Sequence, residues 1–201
     1  MRRRGGRLRN TGLDYNTLIG GMAATFPTKA SLASTLGITE GNISYFNING
    51  SDVQAKINVT YNLPEAPFKG STALTKFEDL EGKLLSTASS IFQACSNLRR
   101  FISTADFIMG AYTFRQCTSV HVELVNITVL NNLEFYNAGL SYLDIRKVTD
   151  LGGDSLDNNM FEIITGNPTI YVNSVLATSN NGGMEGDLVD AQNRGATIIF
   201  V

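Results

Sequence analysis

The sequence has no tryptophan, one histidine, two cysteines and four prolines among its 201 residues. A single histidine excludes a histidine-rich metal site and leaves histidine-based catalysis little raw material. Cys95 and Cys117 are too few for a disulfide scaffold and lack CxxC spacing, which favours assembly in a reducing cytosol. Apolar runs are short, so no transmembrane helix and no membrane insertion are expected. Nineteen glycines against four prolines, without a strict triplet, exclude collagen. Charged residues are also scarce, at 17% against 43% hydrophobic, which excludes a disordered polyelectrolyte. A chain of this length hides roughly 70% of its unfolded surface and can build a real core.

Acidic residues are missing from the first ten positions, which carry five arginines: Arg2, Arg3, Arg4, Arg7 and Arg9. The rest of the chain holds eleven basic and eighteen acidic residues, so a basic arm precedes an acidic body. Such an arm has three readings: contact with nucleic acid through counterion release, docking into an acidic groove of a protein partner, or a solvated terminus. It is not a secretion signal, because residues 10–16 supply no apolar stretch after the arginines.

What the sequence does have is a cadence. Phe68 with Leu74, then Phe92, Cys95, Leu98 and Phe101, then Phe114, Cys117 and Val120 fall into register. The phenylalanines step by 24, 22 and 21 residues from Phe68 to Phe135, which opens a weaker unit with Leu140, Leu143 and Ile145. A fifth trace surrounds Leu156, Phe161 and Ile163, and the pattern closes at Ile170 to Val172. Repeats of ~20–29 residues with such apolar spacing are in the leucine-rich-repeat range. Each unit supplies one short strand, such as 98–102 or 142–146, and one turn with an inward phenylalanine. A single coil cannot bury its apolar side, so coils must stack. The predicted repeat core is therefore Phe68, Leu74, Phe92, Cys95, Leu98, Phe101, Phe114, Cys117, Val120, Leu140 and Leu143. In this pattern the two cysteines are small apolar residues in neighbouring coils.

Upstream, residues 28–36 predict a short helix with Thr28 near the N-cap and Gly37 at its end. Residues 43–48 and 53–61, joined at Asn49-Gly50, predict a hairpin. Pro64 and Pro67 mark the junction to the repeats. The helix and hairpin are expected to cap the solenoid's first open edge. Residues 186–192 predict a short helix and 196–201 a last strand, together a C-terminal cap. The expected division is an arm over 1–20, a helix–hairpin cap over 21–65 and a repeat body over 66–201.

No candidate for chemistry stands out. His121 lies beside Val120 on a repeat strand, with no GxSxG motif to form a triad, and reads as exposed. Glu78, Asp79 and Glu81 form one group of carboxylates, and Asp150, Asp154 and Asp157 another; neither has EF-hand spacing. The glycine-rich segment 181–186 lacks the Lys-Ser/Thr ending of a phosphate loop and reads as a connection to the last cap. No catalytic residue, metal or cofactor is expected, and the chain is not expected to be an enzyme.

The Phe-x-x-Cys-x-x-Leu spacing of Phe92, Cys95 and Leu98 and of Phe114, Cys117 and Val120 resembles the BspA-type leucine-rich repeat. That repeat occurs in surface proteins of Bacteroidetes and in proteins of their phages, and the likeness covers about residues 66–172. The segments 28–38, 170–187 and 194–198 resemble parts of repeat-bearing phage fibre and tail proteins. The resemblance implies a mainly β fold with short helices (α+β), a leucine-rich-repeat solenoid behind a helix–hairpin cap. It also implies a head or tail fibre, or another virion appendage, assembled in the host cytoplasm. Its partners would be capsid, portal or tail proteins, further copies of itself as a dimer or trimer, and a host-surface glycan or protein. The competing expectation is a bacterial surface adhesin of the same repeat class, which the absence of a signal peptide disfavours.

Overall fold

The structure, a computed structural model, describes residues 14–130, 133–151, 160–161, 164–178 and 186–201. It is mainly β, with two short helices and a solenoid-like arrangement of stacked coils. The elements run in chain order β1 (Thr17–Gly20), α1 (Lys29–Leu36), β2 (Ile43–Asn49), β3 (Asp52–Ile57) and β4 (Tyr61–Leu63). There follow β5 (Lys76–Asp79), β6 (Leu84–Thr87), β7 (Arg100–Ser103), β8 (Val120–Leu124), β9 (Leu140–Ile145) and β10 (Thr169–Val172). The chain then forms α2 (Gly186–Asn193) and β11 (Thr197–Phe200).

One nine-stranded sheet runs β11-β10-β9-β8-β7-β5-β1-β3-β2, and β4 pairs with β6 in a second, parallel sheet. From β5 to β11 every pairing in the large sheet is parallel, which requires a crossover between successive strands. The register sets Phe77, Phe101, Val122, Leu143, Ile170 and Ile198 side by side. The first five of these are fully buried. The alternation follows from the pleat, because residues two apart on a strand share a face. In β8 this puts Val120, Val122 and Leu124 inside and His121 and Glu123 outside.

The turns opposite the sheet carry the second half of the core. Phe26, Phe68, Phe92, Phe114, Phe135 and Phe161 form a continuous file of rings, with neighbouring centroids 5.6–6.0 Å apart. Phe77 and Phe101 lean on that file from the sheet side. All eight rings are buried. Two residues after each of four phenylalanines the chain turns left-handed: Gly70, Ala94, Gln116 and Asn137 have φ of 69°, 60°, 62° and 51°. Their stacking is held by backbone bonds between coils: Gly70 donates to Gln93 O, Ala94 to Arg115 O and Gln116 to Asn137 O, at 2.8–2.9 Å.

Helix α1 has the predicted ends. Thr28 accepts from the Ser31 amide, Ser31 answers the Thr28 amide, and Gly37 closes the helix. Residues 43–57 form the predicted hairpin, but the turn sits one residue later: Asn49 pairs with Asp52, leaving Gly50 and Ser51 as the loop. Only Gly50 has positive φ, at 63°, the pattern of a glycine-led II′ turn rather than the Asn-Gly type. The second hairpin strand ends at Ile57 rather than at Tyr61, which instead opens β4 in the other sheet. Residues 17–20, placed by the sequence within the arm, form the buried strand β1 between β3 and β5. Leu156 and Ile163 of the fifth trace lie outside the described residues.

Candidate functional site

The outward side of the large sheet carries mostly polar side chains of the repeats, with the buried Ile102 and Asp144 among them. The strand register lines up Lys76, Arg100, His121, Tyr142 and Thr169 in one row, and Glu78, Ile102, Glu123, Asp144 and Tyr171 in the next. Arg100 lies between two carboxylates, with Nε 3.1 Å from Glu78 Oε1 and an Nη 3.6 Å from Glu123 Oε1. The Glu123 carboxylate also meets His121 Nε2 at 2.8 Å. Arg146 grips Asp144 with two N–H groups and lies over the Tyr171 ring, whose centroid is 6.0 Å away. Lys76 pairs with Asp52 at 2.8 Å across the β1 strand. The His121 and Tyr142 rings stack nearly parallel at 4.2 Å, and Tyr171, from the next row, meets Tyr142 diagonally at 5.4 Å with its ring tilted by 39°.

Chemically this face is largely self-neutralised. Asp52 is held below the usual carboxylate range: burial pushes it up, but Lys76 and the Gly21 amide outweigh that. The Tyr142 phenol is pushed up to about 12 by burial and the nearby Asp144 and Glu123 charges, so it stays protonated and offers a hydroxyl. The His121 and Tyr142 rings turn their faces to each other. The face thus offers hydroxyl, imidazole and paired-charge groups at roughly 4.8 Å strand spacing.

The predicted core residues stand together inside. Phe68, Leu74, Phe92, Cys95, Leu98, Phe101, Phe114, Cys117, Val120, Leu140 and Leu143 are all buried. Cys95 Sγ donates to Phe68 O at 3.0 Å, and Cys117 Sγ to Phe92 O at 3.2 Å, the same contact one coil later. Burial raises the two thiols to about 11 and about 12, so both are inert structural residues at neutral pH.

The carboxylates do not group as their sequence proximity suggests. Glu78 is on the outward face, whereas its neighbour Asp79 points inward and is fully buried. Asp79 accepts from the Lys83 and Leu84 amides and the Ser103 hydroxyl at 2.9–3.2 Å. Burial nevertheless pushes its carboxyl above the ordinary value. Glu81 instead receives an N–H from Asn16, 3.2 Å away. Asn16 also bonds both backbone groups of Ile57, fastening the residue before β1 to the end of β3. Buried Thr17 lies 3.5 Å from the Tyr61 hydroxyl, whose pKa is raised well above normal by burial and then by the Asp79 charge. Sequence reasoning missed this buried polar joint; its one visible signal is the run of polar residues before an apolar strand at Asn16-Thr17.

Asp154, Asp157, the segment 181–185 and the five arginines of the arm lie outside the described residues. Among the described residues no cluster of three or more His, Cys, Asp or Glu is arranged to hold a metal. No helix among them is long and apolar enough to cross a membrane. The fold defines a β-solenoid-like scaffold. No protein-family model, curated protein or solved structure matches the chain.

Proposed function

We propose that the chain is a non-enzymatic structural protein of a bacteriophage virion, a head or tail fibre or similar appendage. The finer fold assignment belongs with this reading: the coils are leucine-rich repeats of the BspA type. Support comes from strand pairings that advance by 24, 21 and 21 residues from Lys76 to Tyr142. In the same reading α1 and the β2–β3 hairpin are the N-terminal cap. The buried Leu32, Ala33 and Leu36 of α1 and the antiparallel β1–β3–β2 end of the sheet support that role.

The observation that carries the functional proposal is the division of charge. Five arginines within ten residues stand ahead of a body with seven more acidic than basic groups. That division suits an arm docked on an acidic particle protein and a body held outward. Fibres commonly assemble as symmetric oligomers, and many weak contacts together give large avidity. The body is therefore proposed to form a dimer or trimer and to meet a host-surface glycan or protein. The outward face of His121, Tyr142 and Tyr171 also favours a second reading, a bacterial surface adhesin, since display alone does not fix the location.

Deleting residues 1–10 tests the anchor. The truncated protein should fold with an unchanged circular-dichroism melt and fail to enter particles. Normal incorporation of the truncated protein would overturn the anchor role.

A further inference from the structure

On the turn side of the solenoid, Arg115 is set between two tyrosine rings rather than beside a carboxylate. Arg115 follows Phe114 in its turn, and Tyr136 follows Phe135 at the same position one coil on. The Arg115 guanidinium carbon lies 5.5 Å from the Tyr112 ring centroid and 5.6 Å from that of Tyr136. The two rings stand edge to face, 5.7 Å apart. Arg115 Nε is buried and, like Arg100 Nε, makes no hydrogen bond among the described residues. Among the described residues the guanidinium makes no ion pair, whereas Arg100 and Arg146 each meet a carboxylate.

The backbone makes this arrangement costlier. Tyr112 sits at φ 58°, in the left-handed region that bulky side chains avoid. The equivalent residue of the preceding coil is Ser90, also at φ 58°, so the fold asks for the conformation and a small residue meets it more cheaply. A tyrosine there gains the Arg115 and Tyr136 contacts at the expense of local backbone preference, and it walls in an arginine whose Nε donor is unused. Such breaks concentrate at binding sites.

We propose that Tyr112, Arg115 and Tyr136 form a binding site for the carboxylate of an acidic saccharide. A guanidinium presents its N–H groups as a planar fork matched to a carboxylate. The rings hold that fork in place and exclude water from its flanks. Gln93 holds the turn position of Arg115 one coil earlier and Gln116 follows Arg115 in the chain; the two are linked amide to amide at 3.5 Å and carry donors and acceptors suited to sugar hydroxyls. The acidic balance of the body disfavours a densely charged polyphosphate such as nucleic acid more than a ligand whose single carboxylates are spaced by neutral rings. The site goes beyond the virion reading and does not depend on it, since it is tested on the purified protein.

The full chain is titrated calorimetrically with a uronate trisaccharide, a sialylated trisaccharide, their neutral counterparts and inorganic sulfate. At least one acidic saccharide should bind, and its neutral counterpart should bind at least about tenfold more weakly. Arg115→Gln should weaken binding about 10- to 100-fold, the usual worth of charge-assisted hydrogen bonds. Arg115→Lys should recover only part of it, because the fork is lost. Tyr136→Phe should bind nearly as the parent and Tyr136→Ala should not, with melting curves confirming that each variant folds. Absence of binding by both acidic saccharides, equal affinity in Arg115→Gln, or binding of sulfate alone would overturn the proposal.

Discussion

Replacing Phe92 by alanine strikes the point where both halves of the core meet. Its buried ring has four aromatic neighbours, Phe68, Phe77, Phe101 and Phe114, at centroid distances of 6.0, 6.1, 5.5 and 5.7 Å. Burying a phenylalanine side chain contributes about 1.5–3 kcal/mol, and the cavity left by its removal adds to that loss. Aromatic pairs add about 0.5–1.5 kcal/mol each, though not additively. Phe92→Ala is therefore expected at the upper end of the phenylalanine-to-alanine range, about 4–5 kcal/mol. Phe26 is equally buried but has one aromatic partner, Phe68 at 5.9 Å, and Phe26→Ala should cost about 3 kcal/mol. Phe92→Leu keeps most of the volume and should cost less than about 2 kcal/mol. Equilibrium unfolding in urea at 25 °C, followed by circular dichroism, measures all three against the parent. A loss below about 2 kcal/mol for Phe92→Ala, or one no larger than for Phe26→Ala, would refute the file of rings as the main support.

Other expectations follow from close approach and from charge. A Cβ on Gly139 would come within 2.5 Å of Cys117 O and 2.6 Å of Thr118 O. Gly139→Ala should therefore force the two coils apart and lower stability by about 2–3 kcal/mol in the same urea assay, a small change there arguing against the coil spacing. Asp79 has a folded pKa above its ordinary 3.8, so between those two values the native state binds more proton than the unfolded state. Its contribution to stability is fully present below pH 3.8 and declines as pH rises through the folded value. Asp79→Asn should remove that part of the slope from a series of urea midpoints, and an unchanged slope would contradict it. Cys95 and Cys117, with thiols near 11 and 12, should be silent to Ellman's reagent at pH 8 in the native protein and should both react in denaturant. Reaction of either in the native state would show that the coil interior opens.

The mainly β, solenoid-like fold with two short helices is legible in the sequence because its core is periodic. Phe92, Cys95 and Leu98 and their equivalents one coil later are constrained by the same neighbours above and below. The ends of α1 are legible for a local reason, since Thr28, Ser31 and Gly37 satisfy the helix termini within a few residues. Strand β1 is not, because residues 17–20 look like the tail of a polar arm until β3 and β5 close on both sides. The left-handed turns at Ala94, Tyr112 and Gln116 carry no glycine to announce them, and stacking between coils imposes them. The outward polar rows and the Arg115–tyrosine cluster depend on strand register and on residues 21 apart in sequence, Arg115 and Tyr136 among them, becoming neighbours. Alternation within a strand shows which side chains face outward, but only the offset between coils shows which of them meet.

The most direct test of the functional account is the location of the protein. Particles from an infected host are separated on a density gradient, and the fractions and cell envelopes are probed with an antibody to the solenoid body. The account predicts signal that co-migrates with intact particles and that gold labelling places on a head or tail appendage. Signal confined to the envelopes of uninfected cells, with particles unlabelled, would contradict it and identify the adhesin reading as the correct one.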